Sequence, residues 1–233
     1  MNREIEKILQ LKKEKHAVIL AHIYQIPEIQ DIADYLGDSL GLSREASDVD
    51  CDTIVFCGVR FMAETAAILN PGKTVLIPDD SSMCPMADMI TPEKLAALKR
   101  EHSGVPVLCY VNSTAETKAL SDICVTSANA LSIVQQMEED RIIFVPDKYL
   151  GRYIQRNTSK EIILWPGYCP VHVKISPAEL QEQKDAHPDA VVMVHPETIP
   201  ELQDMADFIL STGQMCDKAA ELDADEFIIG TET

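Results

Sequence analysis

Two histidines, His22 and His195, stand 173 residues apart in closely matching surroundings. An imidazole titrates near neutral pH, so either one can bind an anionic group or carry a proton. Each is followed two residues later by another proton-handling side chain, Tyr24 in one case and Glu197 in the other. Cys84 and Cys169 form a second set. Both precede proline in loop-like sequence, Ser82-Met-Cys-Pro-Met86 and Gly167-Tyr-Cys-Pro-Val171. A Cys–Pro step in a loop also ends iron–sulfur ligand runs in other proteins, and a structural or reactive thiol is the competing reading. Cys51, Cys57, Cys109 and Cys124 sit in or beside apolar segments and read as buried, inert thiols.

The elements that must position these residues repeat. His22, Ile26, Pro27, Glu28, Gln30, Asp31, Ala33 and Asp34 recur as His195, Ile199, Pro200, Glu201, Gln203, Asp204, Ala206 and Asp207. Each copy follows an apolar run, 17–21 or 190–194, and leads into a helical pattern with Ile29, Ile32, Ala33 and Leu36 on one face of the first. Proline and acids suit a first helical turn. A more diverged third copy lies between them at an offset of 88, where Tyr110 and Asn112 take the place of the histidine loop. The same offsets carry Ser39 onto Ser127 and Thr212, hydroxyls near helix starts that suit phosphate or carboxylate oxygens, plain capping being the alternative. A further strand follows in each copy, at 53–56, 141–144 and 226–229, and Ser43 is placed to cap the helix before the first of these. Strands alternating with helices at this pitch predict a parallel, doubly wound α/β fold of three repeated units, 1–103, 104–188 and 189–233. Three equivalent polar loops at strand ends predict pseudo-threefold symmetry around a central site, with the third unit incomplete.

Net charge is −18, which argues against a nucleic-acid-binding surface. The charged start of the chain lacks the apolar core of a signal peptide, and no apolar run approaches the ~20 residues of a membrane span. Seven cysteines, an odd count without disulfide-like spacing, fit a reducing compartment and a cytoplasmic protein.

Several ordered stretches then resemble one family, the quinolinate synthases of NAD biosynthesis. They include His22-Ile-Tyr-Gln25, Gly37-Asp-Ser-Leu40, Phe56-Cys-Gly-Val-Arg-Phe-Met-Ala-Glu64, Tyr110-Val-Asn-Ser-Thr-Ala-Glu116 and Cys124-Val-Thr-Ser-Ala-Asn129. Further matches are Phe144-Val-Pro-Asp147, Trp165-Pro-Gly-Tyr-Cys-Pro-Val-His172, Val194-His-Pro-Glu197 and Ser211-Thr-Gly213. The resemblance implies three Rossmann-like αβα units around a pseudo-threefold axis, with a [4Fe–4S] cluster held by one cysteine from each, the first two matching Cys84 and Cys169. An iron without a protein thiolate would act as Lewis acid. It implies condensation of iminoaspartate, supplied by an L-aspartate oxidase or dehydrogenase, with dihydroxyacetone phosphate to give quinolinate, phosphate and water. Tyr24 and Glu197 resemble the family's acid–base residues, joined by His22 and His195. Substrate binding falls to His22, Ser39, Tyr110, Asn112, Ser127, His195, Glu197 and Thr212.

The repeat offsets put a third ligand at about 254–257, past Thr233, so the 233-residue chain alone is expected to hold little cluster and to be catalytically silent. A non-catalytic anion-binding form of the same scaffold is the alternative function, and a different iron–sulfur hydro-lyase is a weaker third.

Overall fold

The computed structural model describes residues 3–232, apart from the side chains of Ser39, Leu40 and Ser43. The chain divides into two compact units, Met1–Cys84 and Pro85–Thr233. The first contains α1 (Arg3–Glu14), β1 (Ala17–His22), α2 (Pro27–Gln30), β2 (Tyr35–Gly37), α3 (Ser39–Asp48), β3 (Thr53–Cys57), α4 (Arg60–Leu69) and β4 (Thr74–Leu76). Its sheet is parallel throughout, in the order β2-β1-β3-β4.

The second unit holds two sheets. After a 3₁₀ turn (Ala87–Met89) come α5 (Pro92–Glu101), β5 (Val107–Tyr110), α6 (Ala115–Ala119), β6 (Ile123–Val125), α7 (Ala130–Gln136), β7 (Arg141–Val145), α8 (Lys148–Arg156) and β8 (Glu161–Leu164). They give a parallel sheet in the order β6-β5-β7-β8, the order of the first unit again. A 3₁₀ turn (His172–Lys174), α9 (Pro177–Ala186), β9 (Val191–Val194), α10 (Pro200–Met205), β10 (Phe208–Ile209), α11 (Thr212–Glu221) and β11 (Phe227–Gly230) follow. Their three strands are parallel in the order β10-β9-β11. The fold is therefore α/β, with three parallel Rossmann-like sheets of which the third is smaller, as the repeat predicted. Central strands such as β5 are buried along their whole length, as strands covered on both faces must be.

The recurrent aspartates explain the repeat physically. Asp34, Asp122 and Asp207 each accept the backbone N–H of Ile19, Val107 or Val192, at 2.8 Å in every copy. Their own N–H groups donate to the carbonyls of the same three residues. Each aspartate thus pins the turn after the short helix to the first strand of its sheet. A lysine repeats with it: Lys12 pairs with Asp34, Lys99 donates to the Leu120 carbonyl and Lys184 to the Met205 carbonyl.

These ties shorten the helix that the apolar pattern predicted. The first copy has a single helical turn, Pro27–Gln30, and the chain then returns as the edge strand β2, which carries Leu36. Ile29, Ile32 and Ala33 still pack on the core around Ile19, Ala21 and Cys57. Four residues at helical spacing marked a buried face without marking a long helix, because Asp34 recaptures the backbone for the sheet. The following helix also starts earlier than expected, at Ser39 with Asp38 as its cap, so Ser43 lies inside it.

Candidate active site

The C-terminal ends of β5 and β9 and the loop after β8 bring a set of buried polar groups together in the second unit. Tyr110 ends β5, His195 and Glu197 follow β9, and His172 opens the 3₁₀ turn after Cys169. All four are buried in spite of their polarity. Buried polar groups need partners, and these supply one another. The Tyr110 hydroxyl is hydrogen-bonded to Glu197. His172 Nδ1 stands 3.0 Å from Glu197 Oε2, while its Nε2 lies 2.9 Å from Glu232 Oε2 and 3.0 Å from Thr231 Oγ1. The Nδ1 contact is an ion-pair approach without the alignment of a hydrogen bond.

Two carboxylates on one imidazole decide its charge. Burial works against a charged His172, but its contacts with Cys169, Glu197 and Glu232 outweigh it and push its pKa up to about 12. Burial likewise opposes ionised Glu197, yet the His172 contact, the two neighbouring imidazole rings and the Tyr110 hydroxyl bring it down to about 2. Glu232 is held well below the usual carboxylate range by the same imidazolium, against its own burial. Tyr110 is pushed far above its ordinary value by burial and by the Glu197 charge, so it stays a donor.

His195 differs from its neighbour. Burial lowers its pKa, and the His172 charge, with the two rings stacked at 4.6 Å, adds to the effect. Its Nδ1 accepts the Glu197 N–H at 3.3 Å, which leaves the proton of the neutral ring on Nε2, 3.2 Å from Ser127 Oγ. One imidazolium, one neutral imidazole, one carboxylate and one phenol therefore sit side by side. Gln203 holds the loop, donating to the carbonyls of Pro196 and Thr198, and Thr198 donates to that of His195.

In the first unit the same local design surrounds His22. Its Nδ1 lies 3.4 Å from the Tyr24 N–H, and Gln30 donates to the carbonyls of Ile23 and Gln25 as Gln203 does in its copy. The two rings stand 4.0 Å apart, and the Tyr24 hydroxyl reaches the Met62 sulfur at 3.8 Å.

The cysteine loops also match. Arg60 N–H, at the start of α4, donates to the Ser82 carbonyl at 2.8 Å, and Lys148 N–H, at the start of α8, donates to the Gly167 carbonyl at 2.9 Å. Each carbonyl belongs to the residue two before a cysteine, so Cys84 and Cys169 hang from equivalent anchors. Both thiols are half-buried and outside any disulfide. Asp147 secures the second loop: one carboxylate oxygen accepts Tyr149 and Leu150 N–H and the other accepts Cys169 N–H at 3.0 Å. Burial and the Glu197 charge push Asp147 up to about 8 against those three donors.

Of the residues singled out from sequence, Tyr110, Glu197, His195 and Ser127 form one contiguous set with Cys169 beside it, and Thr212 Oγ1 reaches Glu232 at 3.5 Å. Asn112 is half-buried in the loop after β5, and no polar contact ties it to this set. His22, Tyr24 and Cys84 belong to the first unit, where Ser39 is the first residue of α3 and its side chain lies outside the described residues. Sequence reasoning missed His172, Asp147, Thr231 and Glu232. His172 and Asp147 ended recognisable stretches, but nothing in residue type alone told that His172 is buried between two carboxylates. Cys124 departs from its expected burial: it is exposed, because β6 is an edge strand.

The Quinolinate synthetase A protein family model matches residues 6–233. The chain belongs to this family. It is 56% identical to a quinolinate synthase of Dehalococcoides mccartyi over the whole chain and 78% of that relative. It is 56% identical to one of Methanoregula boonei over 97% of the chain and 75% of the relative. With one of Pyrococcus horikoshii the figures are 52%, 98% and 76%. The quinolinate synthetase family thus covers every residue of the buried set in the second unit. No helix among the described residues is long and apolar enough to cross a membrane.

Proposed function

We propose that the reaction this chain serves is the quinolinate-forming condensation of iminoaspartate with dihydroxyacetone phosphate in NAD biosynthesis, in the cytoplasm. The observation that carries the reading is the ionised Glu197 set between the His172 imidazolium and the Tyr110 phenol. Carbon–carbon bond formation and the following isomerisation need a base, and loss of oxygen needs a donor. A bound substrate carboxylate draws the Tyr110 hydroxyl from Glu197 and the Nε2–H of His195 from Ser127, and Glu197, relieved of one donor, becomes a stronger base for a substrate proton. Ser127 orients His195, Thr212 and Ser39 supply hydroxyls to phosphate or carboxylate oxygens, and Asn112 offers an amide donor. His22 and Tyr24 act in anion binding and proton transfer. An aspartate oxidase or dehydrogenase is the class of enzyme that supplies the imine.

Cys84 and Cys169 each fit a ligand of a [4Fe–4S] cluster, since both are half-buried loop thiols on matching anchors. Among the described residues the other cysteines fit less well, being buried within a sheet or just before one, or placed on an edge strand or on α11. When bound, such a cluster with one iron free of cysteine supplies a Lewis acid for a substrate oxygen. The test is quinolinate formation by the full-length protein after anaerobic reconstitution with iron and sulfide. Glu197→Gln is expected to lower kcat by ~10²–10⁴-fold, the usual range for a lost acid–base group, at unchanged iron content. Tight binding of a dicarboxylate without any turnover by the unsubstituted protein would replace this reading with the anion-binding form.

A further inference from the structure

Away from the buried set, Cys109 and Cys124 are direct partners in the register of β5 and β6. In-register neighbours on parallel strands point to the same face, with backbones about 4.7–4.9 Å apart. That spacing falls within the Cα window of about 4.4–6.8 Å that a disulfide spans. The two differ sharply in access. Cys109 is wholly buried, and its thiol donates to the Tyr110 carbonyl at 3.3 Å. Cys124 is exposed on the edge strand β6.

We propose that Cys109 and Cys124 are an oxidation site, in which a low-molecular-weight disulfide such as oxidised glutathione converts the two thiols into an intrachain disulfide. The Cys124 thiolate attacks one sulfur of the reagent and expels one thiolate, leaving a mixed disulfide. The Cys109 thiol then loses its proton and attacks the Cys124 sulfur, expelling the second. Two protein thiols and one small disulfide become one protein disulfide and two small thiols, with two electrons passing to the reagent. An exposed first thiol and a buried second one set this order, as in thiol sensors that carry a resolving cysteine. The local charges agree with it: the adjacent Cys109 thiol, with help from the Lys118 charge, lowers Cys124 to about 7 despite partial burial. Ser113 and Ser121 stand beside Cys109 and support its thiolate, although the neighbouring Cys124 and burial raise its pKa. The bridge would also withdraw the Cys109 thiol from the carbonyl of Tyr110, next in sequence.

Trypsin cuts after Lys118, between the two cysteines. The purified protein, treated with oxidised glutathione, is quenched with N-ethylmaleimide, unfolded, digested without reductant and mapped by mass. The expected product is peptide 101–118 joined to peptide 119–141, split again by dithiothreitol. In Cys124→Ser the linked peptides should be lost and Cys109 should carry no glutathione. In Cys109→Ser the reaction should stop at Cys124 bearing glutathione; if that variant does not fold, the wild-type map and Cys124→Ser decide. A wild-type Cys124 that stays glutathionylated beside an alkylated Cys109, or that does not react at all, overturns the proposal.

Discussion

Asp147 shows how much a single side chain holds together. It caps α8 through Tyr149 and Leu150 and fastens Cys169, and it has no exposed surface. Removing this acceptor strands buried N–H groups, each at a cost of ~1–3 kcal/mol. Asp147→Ala is therefore expected to lose several-fold more stability in a denaturant titration than an exposed Asp→Ala change, with Asp147→Asn in between because its amide oxygen still accepts. Equal midpoints for Asp147→Ala and the wild type would contradict this role. Cys124 gives a second measurement at this scale. Only the thiolate is alkylated, so iodoacetamide labelling of Cys124 should rise with pH through about 7, well before that of an ordinary thiol. Lys118→Ala should move that midpoint upward, because its charge favours the thiolate.

At the scale of elements, the approach of the Cys169 loop to the end of β7 leaves no room for a side chain. A Cβ on Gly167 would meet the Pro146 carbonyl oxygen at 2.4 Å, and backbone cannot give way as a flexible side chain can. Gly167→Ala should cost ~1–3 kcal/mol, in the range of other overpacking changes, and should raise the alkylation rate of Cys169 by freeing its loop. Gly104→Ala serves as the comparison for crowding: its Cβ meets nothing, although a positive φ strains it. A Cys169 alkylation rate as slow in Gly167→Ala as in Gly104→Ala would show that the close approach does not hold the loop. The short helices α2, α6 and α10 follow the same logic. Each is far shorter than a helix stable alone, and each ends where an aspartate ties the chain back to a first strand.

Across the whole molecule, one plan of strand order recurs in three sheets, and two of these make up the compact unit Pro85–Thr233. That unit has cores of its own, one around Leu95, Val107 and Ile143 and another around Val192, Val194 and Leu202. A fragment from Pro85 onward, expressed alone, is expected to unfold cooperatively in denaturant and to keep the His172, His195 and Glu197 set. A broad, non-cooperative transition with strong binding of a hydrophobic dye would refute this.

The sequence by itself determined the repeat, the parallel α/β class and most strand positions, because apolar runs and recurrent His, Asp and Pro residues follow local rules of burial and capping. It also marked Tyr110, Ser127, His195 and Glu197 as residues to watch, since their types and offsets are written in the chain. Tertiary structure alone decided that helix α2 stops after one turn, that Cys124 faces solvent while Cys109 does not, and that His172 carries a charge. Each of these depends on a partner distant along the chain: Ile19 for Asp34, the sheet edge for Cys124, and Glu197 with Glu232 for His172. Residue type fixes what a side chain is able to do, but its protonation and exposure are set by neighbours that only folding brings within a few ångströms.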